Sequence, residues 1–183
     1  MTRLILVRHG EAAAGWGADA DPGLSAEGHG QALESAATLG PLGPLPIVVS
    51  PLRRTRETAR ALEQQWGVTA RVEPRVGEVR SPDDADLAQR AAWLRGFMGG
   101  TWSDADARLR AWRENVLDAL LALDEDTAVV THFIAINAAV AAATGDDRVV
   151  SFAPANCSHT VLEADKGTLR IVELGDQGLS VVR

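Results

Sequence analysis

Arg8 and His9 close the apolar run 4–7, Ser50, Arg53 and Arg54 follow a second run at 47–49, and His132 follows a third at 127–131. Arginine presents a planar fork of donors that matches phosphate oxygens and keeps its charge, and a neutral imidazole offers a nucleophilic nitrogen. Two histidines and at least two arginines brought to one place would suit a phosphoryl group. Taken singly, each has a plainer reading. Arg8-His9 reads equally well as the opening of a solvated loop, His132 as a hydrogen-bonded core side chain, and Arg53 and Arg56 as solvated neighbours of Arg54. The elements that carry these residues decide between the readings.

Four apolar residues in a row suffice for a strand buried on both faces, the mark of an interior strand in a parallel sheet. In open α/β sheets, ligands bind beyond the carboxyl ends of the strands, where loops and helix N-termini converge. The polar residues would stand there. A Gly/Ala/Asp-rich loop at 12–23 leads to Ser25, placed to cap a helix running to Gly40. Residues 40–46 are a Pro/Gly turn and 47–49 a second buried strand. Ser50-Pro51-Leu52 then offers a capping serine and a first-turn proline for a helix ending near Trp66-Gly67. A short strand at 69–73 leads to Glu78.

Residues 79–104 carry only a weak helical pattern through Leu87, Ala91, Leu94 and Met98. Ser103 and Asp106 resemble a capping box that opens a long amphipathic helix through Leu109, Trp112, Val116, Leu120 and Leu123. After the strand at 127–131, a helix is predicted over 134–144, stopping at Gly145. Strands at 160–163 and 169–174 form a hairpin through Asp165-Lys166-Gly167. This alternation predicts an α/β fold with a largely parallel sheet flanked by helices, one domain over 1–183, with 79–104 as a short cap over the strand ends.

Composition bounds the function. A chain of 183 residues can bury one substantial core, and 46% hydrophobic with 23% charged residues are values of an ordinary globular protein rather than a disordered one. The formal net charge of −7 speaks against nucleic-acid partners, so positive charge for an anion must come from a few local arginines. Cys157 is the only cysteine, which excludes an intrachain disulfide and cysteine-rich zinc motifs and points to a cytoplasmic setting. The first apolar run is too short for a signal-peptide core, and no stretch, the alanine-rich 133–144 included, is long enough for a membrane span. Glycine-rich nucleotide loops of the two common types are absent.

Five stretches in order carry a family resemblance. They are Leu6-Val7-Arg8-His9-Gly10-Glu11, then Leu24-Ser25-Ala26-Glu27-Gly28 with Gln31-Ala32, then Ser50-Pro51-Leu52-Arg53-Arg54 with Thr58-Ala59, then Val76-Gly77-Glu78, then Val129-Val130-Thr131-His132. Together they resemble the histidine phosphatase superfamily, also called phosphoglycerate mutase-like, and Asn156-Cys157-Ser158 before a strand is similar to that family's C-terminal region. The resemblance implies a phosphatase that hydrolyses phosphomonoesters of small metabolites, with neither metal nor cofactor. It implies that His9 accepts the phosphoryl group, that Arg8 and Arg54 clamp it, and that His132 hydrogen-bonds its oxygens. It also implies that Glu78 protonates the leaving alcohol and then deprotonates water. The chemistry agrees, because in-line phosphoryl transfer asks mainly for positioning and charge stabilisation.

The chain departs from the family pattern at two places. Phe133 stands where the family often has glycine after the second histidine, and is expected to narrow the pocket or to close one wall with an apolar face; Gly15 stands where many members carry asparagine. Asn137 and Ser158 are candidates to compensate, and Glu11 is a candidate partner for the arginines or a secondary carboxylate. His29 and His159 are read as surface or structural residues, and the tryptophans as core and lid, with Trp93 and Trp102 as candidates for a pocket wall. Residues 79–107 set three arginines (Arg80, Arg90, Arg95) against five aspartates (Asp83, Asp84, Asp86, Asp104, Asp106), a local charge of −2. Phosphoglycerate mutases of the family carry a long basic insert there, so this short acidic one favours hydrolysis over mutase transfer. A protein phosphohistidine phosphatase and a non-catalytic phospholigand-binding module are the further readings. Phosphate release from a generic aryl phosphate separates an enzyme from the module.

Overall fold

The structure is a computed structural model that describes residues 1–15, 18–82 and 86–178, the Leu87 side chain aside. Its strands are β1 (Thr2–Arg8), β2 (Ile47–Val49), β3 (Arg71–Val72), β4 (Thr127–Thr131), β5 (His159–Asp165) and β6 (Thr168–Glu173). They form one sheet in the order β3-β2-β4-β1-β5-β6. The first four in that order are mutually parallel, and β5 and β6 add an antiparallel edge. Five helices flank the sheet: α1 (Ala26–Leu39), α2 (Arg53–Trp66), α3 (Leu87–Met98), α4 (Ala107–Leu121) and α5 (Phe133–Thr144).

The period-2 alternation of the apolar strands sorts the helices onto two faces. Ile5, Val7, Ile47, Val49, Ala128 and Val130 point to one side and pack against Ala36 and Leu39 of α1 and Ala59, Leu62 and Trp66 of α2. Leu4, Leu6, Val48, Val129 and Leu162 point to the other, against Val116 and Leu120 of α4 and Ile136 and Val140 of α5. Covering both faces fixes register, since a slip of one residue would turn each strand inside out. The register places Arg8 beside Thr131 and Val49 beside Val130. The ends of β1, β2 and β4 are therefore level, and the residues after them share one edge.

Several predicted boundaries move, each for a local reason. Helix α2 starts at Arg53 with Leu52 at the N-cap, so Ser50 is not its cap and Pro51 is not in its first turn. The Ser50 hydroxyl is engaged elsewhere, as described below. Helix α4 is capped by Asp106 itself, which accepts from the Leu109 N–H, while Ser103 lies in a preceding turn and bonds Asp147. Strand β3 is shorter than 69–73, because the Ala70 N–H is taken by the Glu63 side chain at one end and Pro74 opens a 3₁₀ turn over Pro74–Val76 at the other. The weak pattern in 79–104 is a true helix, held at its start by a reciprocal capping box between Asp86 and Gln89. Asp83 and Asp84 lie outside the described residues. Among those described, no helix is long and apolar enough to cross a membrane.

Candidate active site

His9 follows β1 directly, and its N–H still bonds the Thr131 carbonyl at 3.0 Å, which pins it to the end of β4. The next peptide is held by α2: the Thr58 hydroxyl accepts from the Gly10 N–H at 3.0 Å and donates to the Arg54 carbonyl at 2.8 Å. From the far end of the chain, the Asn156 amide donates to the His9 carbonyl at 2.9 Å. The glycines of the first two motifs exist for each other. A Cβ on Gly10 would lie 2.6 Å from the Gly28 oxygen, and one on Gly28 would lie 2.1 Å from the Glu11 oxygen. Only a pair of glycines lets the His9 loop rest on the first turn of α1.

Hydrogen bonding fixes the tautomer of both histidines. His9 Nδ1 lies 2.7 Å from the Gly10 carbonyl, which only accepts, so Nδ1 carries the proton and Nε2 presents its lone pair. Arg54 Nε donates to that lone pair at 3.1 Å. The same guanidinium reaches His132, where Nη2 lies 3.2 Å from Nδ1. Arginine cannot accept, so His132 Nδ1 is bare and its Nε2–H donates to Ser50 Oγ at 2.7 Å. Arg54 thus bridges two neutral imidazoles whose ring centres are 5.2 Å apart. Burial, and then the charges of Arg54 and Arg8, hold both histidines well below their ordinary pKa.

Arg8 and Glu78 complete the set. Arg8 Nη1 donates to the Pro154 carbonyl at 2.7 Å, and burial lowers its pKa to about 10, which leaves it charged near neutrality. The 3₁₀ turn after β3 delivers Glu78, whose Oε1 accepts from the Val79 N–H at 3.0 Å and whose Oε2 faces the Ile134 N–H at 3.4 Å. Burial raises the Glu78 pKa, against the opposing pull of the Val79 N–H and of Arg54. A buried carboxyl whose pKa burial raises is a candidate proton donor. Arg8, His9, Arg54 and Glu78 all line one cavity of about 1140 Å³, and His132 lies behind Arg54, fully buried. Among the described residues, no group of three His, Cys, Asp or Glu side chains is placed to hold a metal ion.

The other candidates divide. Gly15 and Phe133 line the cavity, but Asn137 and Ser158 do not. Asn137 spends its amide on the N–H groups of Ser151 and Phe152 and on the Phe133 carbonyl, and Ser158 Oγ is buried without a partner among the described residues. Glu11 lines the cavity and accepts from Ser25 Oγ at 2.7 Å. His159 bonds Ser35, and His29 is exposed beside Glu57. Among the described residues, the tryptophan that lines the cavity is Trp112, whereas Trp93 and Trp102 pack with Phe97 and Leu94 in a further apolar cluster. Ser50, expected as a helix cap, and Asn156, for which the sequence offered no role, are positioning residues of the site. Arg90 and Arg108 also line the cavity with Arg80, while Asp86 and Asp106 turn back to cap helices and Asp104 accepts from Thr101. Among the described residues of 79–107, Arg80 and Arg90 therefore line the cavity and no aspartate does.

Comparison with known proteins agrees with this arrangement. The family model of the histidine phosphatase superfamily (branch 1) matches residues 4–177. A probable phosphoglycerate mutase GpmB of Erwinia tasmaniensis is 26% identical over 165 residues, 79% of this chain and 76% of that protein. A glucosyl-3-phosphoglycerate phosphatase of Mycobacterium tuberculosis is 33% identical over 117 residues, which take in 62% of this chain and about half (48%) of that protein. The solved structure of the mycobacterial glucosyl-3-phosphoglycerate phosphatase with VO3 superposes with a TM-score of 0.73 at 26% identity, covering 97% of this chain and all (100%) of the other. With its motifs in order, its strand ends level and the family match spanning nearly its whole length, this chain belongs to the histidine phosphatase superfamily, branch 1.

Proposed function

We propose that the protein hydrolyses phosphomonoesters of small metabolites through a phosphohistidine on His9. The observation that carries this is the His9 imidazole itself, neutral, locked by Gly10 at Nδ1, with its Nε2 lone pair aimed at Arg54 in the cavity. Nε2 attacks phosphorus as the bond to the ester oxygen breaks, and Glu78 gives its proton to that oxygen. Arg8 and Arg54 neutralise the equatorial oxygens. Once Arg54 turns to the phosphoryl group, the freed Nδ1 of His132 gains a proton from cavity water while its Nε2 proton passes to water through the Ser50 hydroxyl, so that Nδ1–H faces a phosphoryl oxygen and Ser50 Oγ–H donates to Nε2. In the second half, Glu78 takes a proton from water, the water oxygen bonds phosphorus, and the P–N pair returns to Nε2.

Residues 79–104 act as the cap in this reading, with Leu94 and Met98 of α3 in the cavity wall beside Trp112 and Ile134. Arg80, Arg90 and Arg108 line the same cavity, which supports an alcohol that carries a further acid group. The names of the mycobacterial relatives point the same way. Phosphate release from p-nitrophenyl phosphate with a chelator present, then a panel of phosphorylated acids and neutral phosphosugars, tests the reading. Release from the acids at higher kcat/KM supports it, and no release from any substrate ends it. Mutase transfer is the second reading, favoured by the Erwinia relative, and it predicts interconversion of 2- and 3-phosphoglycerate outpacing phosphate release.

A further inference from the structure

Phe133 is the first residue of α5 and directly follows His132. It is 6% exposed, lines the cavity, and belongs to the cluster that includes Leu94, Trp102 and Leu109, with Trp93, Phe97 and Met98 packed around it. Its ring also meets Arg8, whose guanidinium carbon lies 5.0 Å from the ring centre. That places the cation within the range of an attractive contact with an aromatic face. Arg8 needs such a support. Among the described residues, its one side-chain hydrogen bond runs from Nη1 to the Pro154 carbonyl, and its Nε is buried without a partner. A planar group held at one nitrogen can still pivot about that bond, and the like charge of Arg54 pushes on it. Arg54, by contrast, is held at two points, through Nε and Nη2.

We infer that Phe133 is a positioning residue for Arg8, its ring face setting the plane in which the guanidinium meets the phosphoryl group. The inference rests on the reading of Arg8 as a phosphate clamp. Phe133 is thus more than a bulky replacement for glycine that narrows the pocket. It ties the clamp to the packing of α3, because the cluster that holds the ring includes Trp93, Leu94, Phe97 and Met98 of that helix. An aliphatic side chain of similar volume would fill the cluster and leave Arg8 without its ring.

The test compares Phe133→Leu, Phe133→Met and Phe133→Tyr in the full chain, each also in an Arg8→Gln background. Thermal unfolding, the Kd for inorganic phosphate, and KM and kcat on p-nitrophenyl phosphate are measured. Phe133→Leu and Phe133→Met should weaken phosphate binding about 2- to 30-fold, the worth of a partly desolvated cation–ring contact, and raise KM more than they lower kcat. Phe133→Tyr, which keeps the ring, should stay within about twofold of the wild type. In the Arg8→Gln background, the Leu substitution should lower kcat/KM by less than about twofold, because the ring then has nothing to hold. Equal losses with and without Arg8, or aliphatic variants that lose only thermal stability, would overturn the inference and leave the phosphatase reading standing. A wild-type protein that binds no phosphate would remove both.

Discussion

Ser50 Oγ lies 2.7 Å from Nε2 of His132, and neither residue exposes any surface. A buried N–H deprived of its acceptor bears the full desolvation cost. Ser50→Ala should therefore lower stability by about 1–3 kcal/mol, measured by urea unfolding. It should also lower kcat while leaving KM nearly unchanged, because His132 then loses the partner that sets its tautomer.

Gly28 and Gly30 make a contrast within α1. Gly28→Ala would press a methyl group against the Glu11 carbonyl and should cost about 1–3 kcal/mol, with a fall in kcat as the His9 loop shifts. Gly30→Ala, two positions on, meets nothing within 4 Å and should stabilise the protein by roughly 0.5–1 kcal/mol with activity intact. Thermal unfolding of the two variants side by side checks this.

The meeting of Arg8, His9, Arg54 and His132 was legible because each residue is tied to the end of a strand or the start of a helix, and the apolar runs fix where those ends fall. Partners that depend on reach across the sheet were not. Ser50 looks like a helix cap until the position of His132 is known, and Asn156 comes from a strand entrance more than a hundred residues away from His9. Asn137 failed as a candidate because its amide is spent on the 151–152 turn. The arginines of the cap segment were all counted, but a net charge has no direction, and only the structure shows Asp86 and Asp106 capping helices rather than lining the cavity.

Stability should depend on pH through the two buried histidines. Their folded-state pKa values are depressed, so their contribution is present above the unfolded value of about 6.5 and is lost as pH falls below it. Each adds up to about 1.4 kcal/mol per pH unit to the acid slope, and His132→Asn should remove one such share. Glu78 runs the other way. Its folded-state pKa is raised, so its contribution is present below about 4.3 and lost as pH rises through the folded value. Relative to the wild type, Glu78→Gln should gain stability between pH 4 and pH 8, read from urea midpoints across that range.

The leaving group tests Glu78 separately. An alkoxide needs a proton in the transition state and nitrophenolate hardly does. Under single-turnover conditions, Glu78→Gln should slow an alkyl phosphate by on the order of 10²–10⁴-fold and p-nitrophenyl phosphate clearly less. Equal losses on both substrates would remove the acid role.

The most direct measurement traps the phosphoenzyme. The full chain is mixed with ³²P-labelled substrate in the presence of a chelator, quenched in alkali within the first turnovers, and digested. The account predicts an alkali-stable, acid-labile label on the peptide that contains His9, and neither label nor turnover in His9→Ala. Label on another residue, or a His9→Ala variant that turns over at the wild-type rate, would contradict it.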